Sequence, residues 1–201
     1  MKHLTLSVAA LLMGTAVWSA ELDKGIQLYK AQKYAASVAE LRQVVEDQPD
    51  NNKAKYYLGL ALLGQEKPDE AVETLTKAAE ASPDSAEIQA GLARVYTEQK
   101  KFGEAEEALK RAEEKQPDSS EVSFSRGMLL LAKRNYSEAA RDFEVTLERD
   151  PDNAEAHYYA ALAYNGMKQP DKMVEHFQRF LKIAPDSPRA PRVRSLMKAL
   201  Q

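Results

Sequence analysis

No cysteine occurs among the 201 residues, so disulfides, thiolate metal sites and a lipid-modified cysteine at a mature N-terminus are excluded, and stability has to come from packing. Glycine and proline are scarce, at 8 and 9 residues, and no Gly-rich or Ser-rich stretch separates one part of the chain from another. One continuous body is expected. Nor is there a surplus of positive charge. A formal charge of −3 and a pI near 5.8 give no electrostatic reason to expect nucleic acid, whose backbone calls for clustered Lys and Arg.

Catalytic signatures are missing as well. Of the three histidines, His3 stands at the start, and His157 and His176 fall on different helices without a Cys or an HExxH-type spacing nearby; both read as structural or surface residues. Glu104, Glu106, Glu107, Glu113 and Glu114 are interleaved with Lys110, Arg111 and Lys115, which makes a solvated helix face and not an acid/base pair. There is no Gly-rich phosphate loop and no G-x-S-x-G. An enzyme is not expected, and no metal or cofactor is implied.

What is present begins with a short positive start, Lys2 and His3, followed by the uncharged, mostly apolar run Leu4 to Val17. That is the pattern of a secretory signal over residues 1–20. The run is shorter than the ~20 residues a spanning helix needs, and charged residues from Glu21 onward close it. Cleavage after Ala20 leaves Trp18 three residues before the cut, and cleavage after Ser19 leaves Val17 there. The reading is export to the periplasm of a bacterial envelope, with an uncleaved membrane anchor as the alternative.

Self-similarity then decides the fold. Pro49, Pro83, Pro117, Pro151 and Pro185 recur every 34 residues, each opening a P-D-N or P-D-S tripeptide. Pro stops a helix that has just ended, and the polar residue after it can cap the next. With each Pro at place 32, the units are 18–51, 52–85, 86–119, 120–153 and 154–187. Place 8 holds Gly25, Gly59, Ala93, Gly127 and Ala161; place 24 holds Leu41, Leu75, Leu109, Phe143 and Phe177. Small residues let two helices approach, and large ones fill what they leave. Within each unit the apolar spacing is helical, broken once, as at Lys67-Pro68-Asp69. Two antiparallel helices per unit follow.

Unit 52–85, with Leu58-Gly59, Leu62, Ala71, Leu75, Ala78 and Pro83, resembles a tetratricopeptide repeat, and the resemblance covers about 170 of the 201 residues. It implies an all-α superhelix, a right-handed solenoid of five hairpins across 21–187. Unit 18–51 overlaps the signal and carries Lys24 where an apolar residue is usual, so a frayed end is expected. Unit 154–187 replaces the small place-20 residue by Met173. Residues 188–201 read as a capping helix with Val193, Leu196, Met197 and Leu200 on one side. Its Arg189, Arg192, Arg194 and Lys198 suggest contact with anionic lipid or an acidic partner, set against a solvated terminal helix.

The resemblance also implies a concave surface lined by places 2, 5, 9 and 12 of the first helices. These give Tyr56, Leu60 and Leu63; Glu87, Ala90, Arg94 and Thr97; Phe124, Met128 and Leu131; and Tyr158, Leu162 and Asn165. A greasy groove with one central cation motivates the expectation that it buries a partner's apolar side chains. The alternative is that these residues pack between adjacent helices. Arg94 is either the counterpart of an acidic ligand group or a solvated surface residue. The Lys and Asn that some members use at places 5 and 9 to hold a terminal carboxylate are absent. The function expected is a protein-binding or peptide-binding adaptor in an envelope assembly. Its alternatives are a self-associating spacer and an accessory subunit of an envelope enzyme.

Overall fold

The computed structural model describes residues 19–199; residues 1–18 of the expected signal, and Leu200 of the expected cap, lie outside them. Eleven helices and no strand occur among the described residues: α1 (19–30), α2 Tyr34–Asp47, α3 Asn52–Gly64, α4 Pro68–Ala81, α5 Ala86–Glu98, α6 Phe102–Lys115, α7 Ser120–Ala132, α8 Tyr136–Arg149, α9 Ala154–Gly166, α10 Pro170–Ile183 and α11 Ala190–Lys198. They pair as five hairpins, each packed on the next.

The corners between hairpins hold Pro49, Pro83, Pro117 and Pro151, and the corner before the cap holds Pro185. Asn51 and Asn153 accept hydrogen bonds from Ala54 N and Ala156 N, each at 3.0 Å, and Ser85 accepts from Ile88 N at 3.3 Å; all three satisfy a helix-terminal donor. Ser119 departs from the capping expectation: its hydroxyl donates to Glu121 Oε2 at 3.0 Å. Inside each hairpin the turn after the first helix carries a residue with positive φ, namely Gln32, Glu66, Lys100, Arg134 and Lys168. The bonds Glu66 N to Leu63 O and Lys67 N to Leu62 O recur in every unit, which is the paired closure of a helix that ends in a left-handed residue. These positions are again 34 apart, and no glycine marks any of them.

The small–large pairing holds the hairpins together. A Cβ at Gly59 would sit 2.5 Å from Leu75 Cγ, one at Gly25 2.6 Å from Leu41 Cδ2, and one at Gly127 2.8 Å from Phe143 Cε1. Ala93 and Ala161 are fully buried at the equivalent place.

Three end-of-stack expectations change. The first hairpin is not frayed: Ile26, Tyr29 and Tyr34 are buried, Lys24 pairs at the surface with Glu40, and Ser37 donates to Gly25 O at 2.8 Å. The cap α11 buries Ala190 and Val193, with Met197 partly covered, but leaves Leu196 44% exposed. Arg189 turns inward to the buried carboxylate of Glu155, while Arg192, Arg194 and Lys198 remain exposed.

Candidate functional site

The stack curls until its two ends meet, and the meeting point is a buried network on the concave side. Arg94 leaves the middle of α5 beside the small Ala90 and Ala93, so its guanidinium reaches the axis. There Nη2 donates to Glu155 Oε2 at 2.7 Å and Nη1 to Tyr29 Oη at 3.1 Å, and the guanidinium carbon lies 4.6 Å from the centre of the Phe124 ring. Tyr29 Oη donates to Glu155 Oε2 at 2.7 Å, and Tyr34 Oη donates to Oε1 at 3.1 Å. From the cap, Arg189 Nη1 reaches Tyr34 Oη at 3.2 Å and Glu155 Oε1 at 3.5 Å, while Nη2 donates to Tyr159 Oη at 3.3 Å. Glu155, on the fifth hairpin, is thus a carboxylate with donors from the first and third hairpins and from the cap.

The side chains of Arg94 and Glu155 are only 8% and 11% exposed. Burial alone would raise the Glu155 pKa, but Arg94, Arg189 and the Tyr29 hydroxyl outweigh it and hold the carboxyl down at about 2. Burial pushes the Tyr29 and Tyr159 hydroxyls up.

This pair divides the concave space into two chambers that share Arg94 and Glu155 as a partition. The first, about 430 Å³, is walled by Tyr29, Tyr56, Tyr57, Leu60 and Phe124, with Glu121, Asp150 and Asp152 around it. The second, about 540 Å³, is lined by Leu63, Met128, Tyr158, Tyr159 and Leu162, with Glu66, Glu98, Arg189 and Arg192.

The expected groove residues divide accordingly. Tyr56, Leu60, Arg94, Phe124, Met128 and Tyr158 line the chambers but are themselves buried; Leu63 and Leu162 are half-buried there. Ala90 and Thr97 are buried, Thr97 donating to Ala93 O at 2.7 Å. Leu131 is half-buried, and Glu87 and Asn165 are exposed. The lining is therefore in good part the chain's own interior, because the ends close over it. Neither reading of Arg94 survives unchanged: it is not solvated, and the acidic group it meets belongs to Glu155. That partner was legible in principle, since Glu155 stands at place 2 and Tyr29 at place 12, the same inward places that supplied Arg94.

His157 and His176 meet at Nδ1 to Nδ1, 3.0 Å, with His157 Nε2 on Pro151 O at 3.0 Å and His176 Nε2 on Glu144 Oε1 at 3.1 Å. Burial lowers the His157 pKa. Among the described residues no group of three or more His, Cys, Asp or Glu is placed to hold a metal, and no helix is long and apolar enough to cross a membrane.

Comparison with known proteins agrees with this architecture. Two family profiles, both described as tetratricopeptide repeat, match the chain, one over 62–123 and the other over 22–86 and 124–188. Among solved structures, TTC0263, a thermophilic TPR protein of Thermus thermophilus, is similar with a TM-score of 0.70 at 21% identity, over 92% of this chain and 100% of that one. YrrB, described as a TPR protein with an unusual peptide-binding site, has a TM-score of 0.50 at 23% identity, over 87% and 90%. No curated protein matches the chain significantly.

Proposed function

The chain belongs to the tetratricopeptide repeat family, and from that premise we propose that it is a non-enzymatic scaffold that holds a segment of a partner protein on its concave side, in an assembly of the bacterial envelope. The fold supports protein–protein interaction as the general role. The observation that carries the concave side is the pair of chambers: residues from all five hairpins and the cap converge there, so the lining exists only in the assembled stack. The two ends of the stack are turned on each other through Tyr29, Tyr34, Glu155 and Arg189, which favours ligand capture over end-to-end self-association.

Export is supported by the Lys2-His3 start and the apolar run to Val17. The buried residues of α1, Gly25, Ile26 and Tyr29, all lie after Ala20, so cleavage after Ser19 or Ala20 leaves the first hairpin its contacts. N-terminal sequencing of the cellular protein should begin at Ala20 or Glu21; an intact Met1 in the cytosol would remove the envelope assignment.

A photoreactive residue placed at Tyr57 or Leu162, one in each chamber, should give a discrete cross-linked adduct in intact cells, and one at the exposed Lys110 on α6 should not. Adducts from Lys110 alone, or none from either concave position, would overturn the concave-side reading.

A further inference from the structure

Resting on that reading, we propose that the chamber beside Tyr57 receives an apolar side chain flanked by Lys or Arg in the partner's segment, as an anchor in a blind recess rather than as a strand running through. The recess is blind because Arg94 and Glu155 line both chambers and pair at 2.7 Å. A segment that enters on the Tyr57 side meets this closed pair and stops. Threading would require breaking a buried ion pair, which is far more costly than seating one side chain.

The chemistry of the occupant follows from how the wall and the mouth differ. Tyr56, Leu60 and Phe124 form a buried apolar wall, and the volume of about 430 Å³ lies in the range of ~300–1,000 Å³ usual for sites that enclose a ligand group. The mouth is charged and predominantly negative. Glu121, Asp150 and Asp152 stand there against the single ammonium of Lys30. Among the described residues none of the three carboxylates lies within ion-pairing distance of a Lys or Arg. Tyr57 feels the same field: burial first, then Glu121, Glu87 and Asp150, push its hydroxyl up.

An apolar group therefore gains by leaving water at depth, and a cation gains at the rim from carboxylates and from the half-buried Tyr57 ring. An acidic segment would be repelled there. The second chamber makes no such selection, because its lining holds charges of both signs, Glu66 and Glu98 with Arg189 and Arg192.

The test uses the full chain and three fluorescein-labelled, end-blocked octapeptides in a Gly/Ser background: Phe between two Lys, Phe between two Glu, and Ala between two Lys. The first should bind at least about tenfold more tightly than either other, with an affinity that falls as salt rises. Asp150→Asn with Asp152→Asn, both at the mouth, should weaken it about tenfold at low salt and little at high salt. Leu60→Trp, which fills the recess, should abolish binding with helicity retained; should that variant not fold, the mouth variant decides. Equal binding of the three peptides, no binding of any, or an unchanged affinity in the mouth variant would overturn the proposal. If the peptides fail while cross-linkers at Tyr57 or Leu162 still capture a partner, only this inference falls and the scaffold reading stands.

Discussion

Ser187 donates its hydroxyl hydrogen to Gln32 Oε1 at 2.6 Å, which ties the corner that ends the fifth hairpin to the turn of the first. Both residues are buried, and the same hydroxyl accepts from Arg189 N at 3.1 Å. Removing it by Ser187→Ala leaves a buried carboxamide without its donor, at ~1–3 kcal/mol. Amide exchange should then accelerate together in α1, α2 and α11 and stay unchanged in α5 and α6. Uniform acceleration across the chain would show that the contact between the ends is not a separable unit.

Glu155→Gln retains the shape but withdraws the charge that Arg94 and Arg189 share. Two guanidiniums then remain in the interior without a counterion, so a loss of ~3–5 kcal/mol is expected in chemical denaturation. A loss below ~1 kcal/mol, the magnitude of a surface pair, would contradict the buried network.

Acid should act on the same group. Its carboxyl sits at about 2 in the folded chain against an ordinary 4.5, so the folded state holds fewer protons there than the unfolded one. The stabilisation is complete above pH ~4.5 and is lost as pH falls toward ~2, on the order of 3 kcal/mol in all. Urea midpoints measured between pH 6 and pH 2.5 should fall less steeply in Glu155→Gln than in the parent chain; parallel slopes would count against this assignment.

Gly59→Leu and Gly127→Leu force a side chain into Leu75 and Phe143 and should each cost ~1–3 kcal/mol or more. Gly103 is the control, since a Cβ there meets nothing within 4 Å. Gly103→Ala should be neutral or stabilising by up to ~0.5 kcal/mol, because alanine is the better helix former. Thermal melting of the three variants separates close packing from a general dislike of substitution.

Lys100 holds φ 59° at an exposed turn. An L-residue pays ~1–2 kcal/mol for that backbone region, and glycine does not, although it gives up ~0.5–1 kcal/mol of unfolded-state entropy. Lys100→Gly should therefore raise the denaturation midpoint, by up to ~1 kcal/mol. The same change at the buried Gln32 should lower it, because that side chain accepts from Ser187.

The sequence determined the hairpins, their number and their mutual packing, because each of these rests on residues close together in the chain and repeated every 34 positions: the corner prolines, the small residues at place 8, the large ones at place 24. It also set which faces of the first helices turn inward. The five left-handed turn residues are not legible in it because Gln, Glu, Lys and Arg carry no turn signal, and the geometry is imposed by the helices on either side. Tertiary structure alone decided that the concave surface would close. Each hairpin adds a small rotation, and only their sum brings Tyr29 and Tyr34 onto Glu155, more than 120 residues away. That sum turned an expected open groove into two chambers, paired Arg94 with a carboxylate of its own chain, and drew Arg189 inside. A periodic sequence specifies the step well, but where the last step lands depends on small angles that no residue type records.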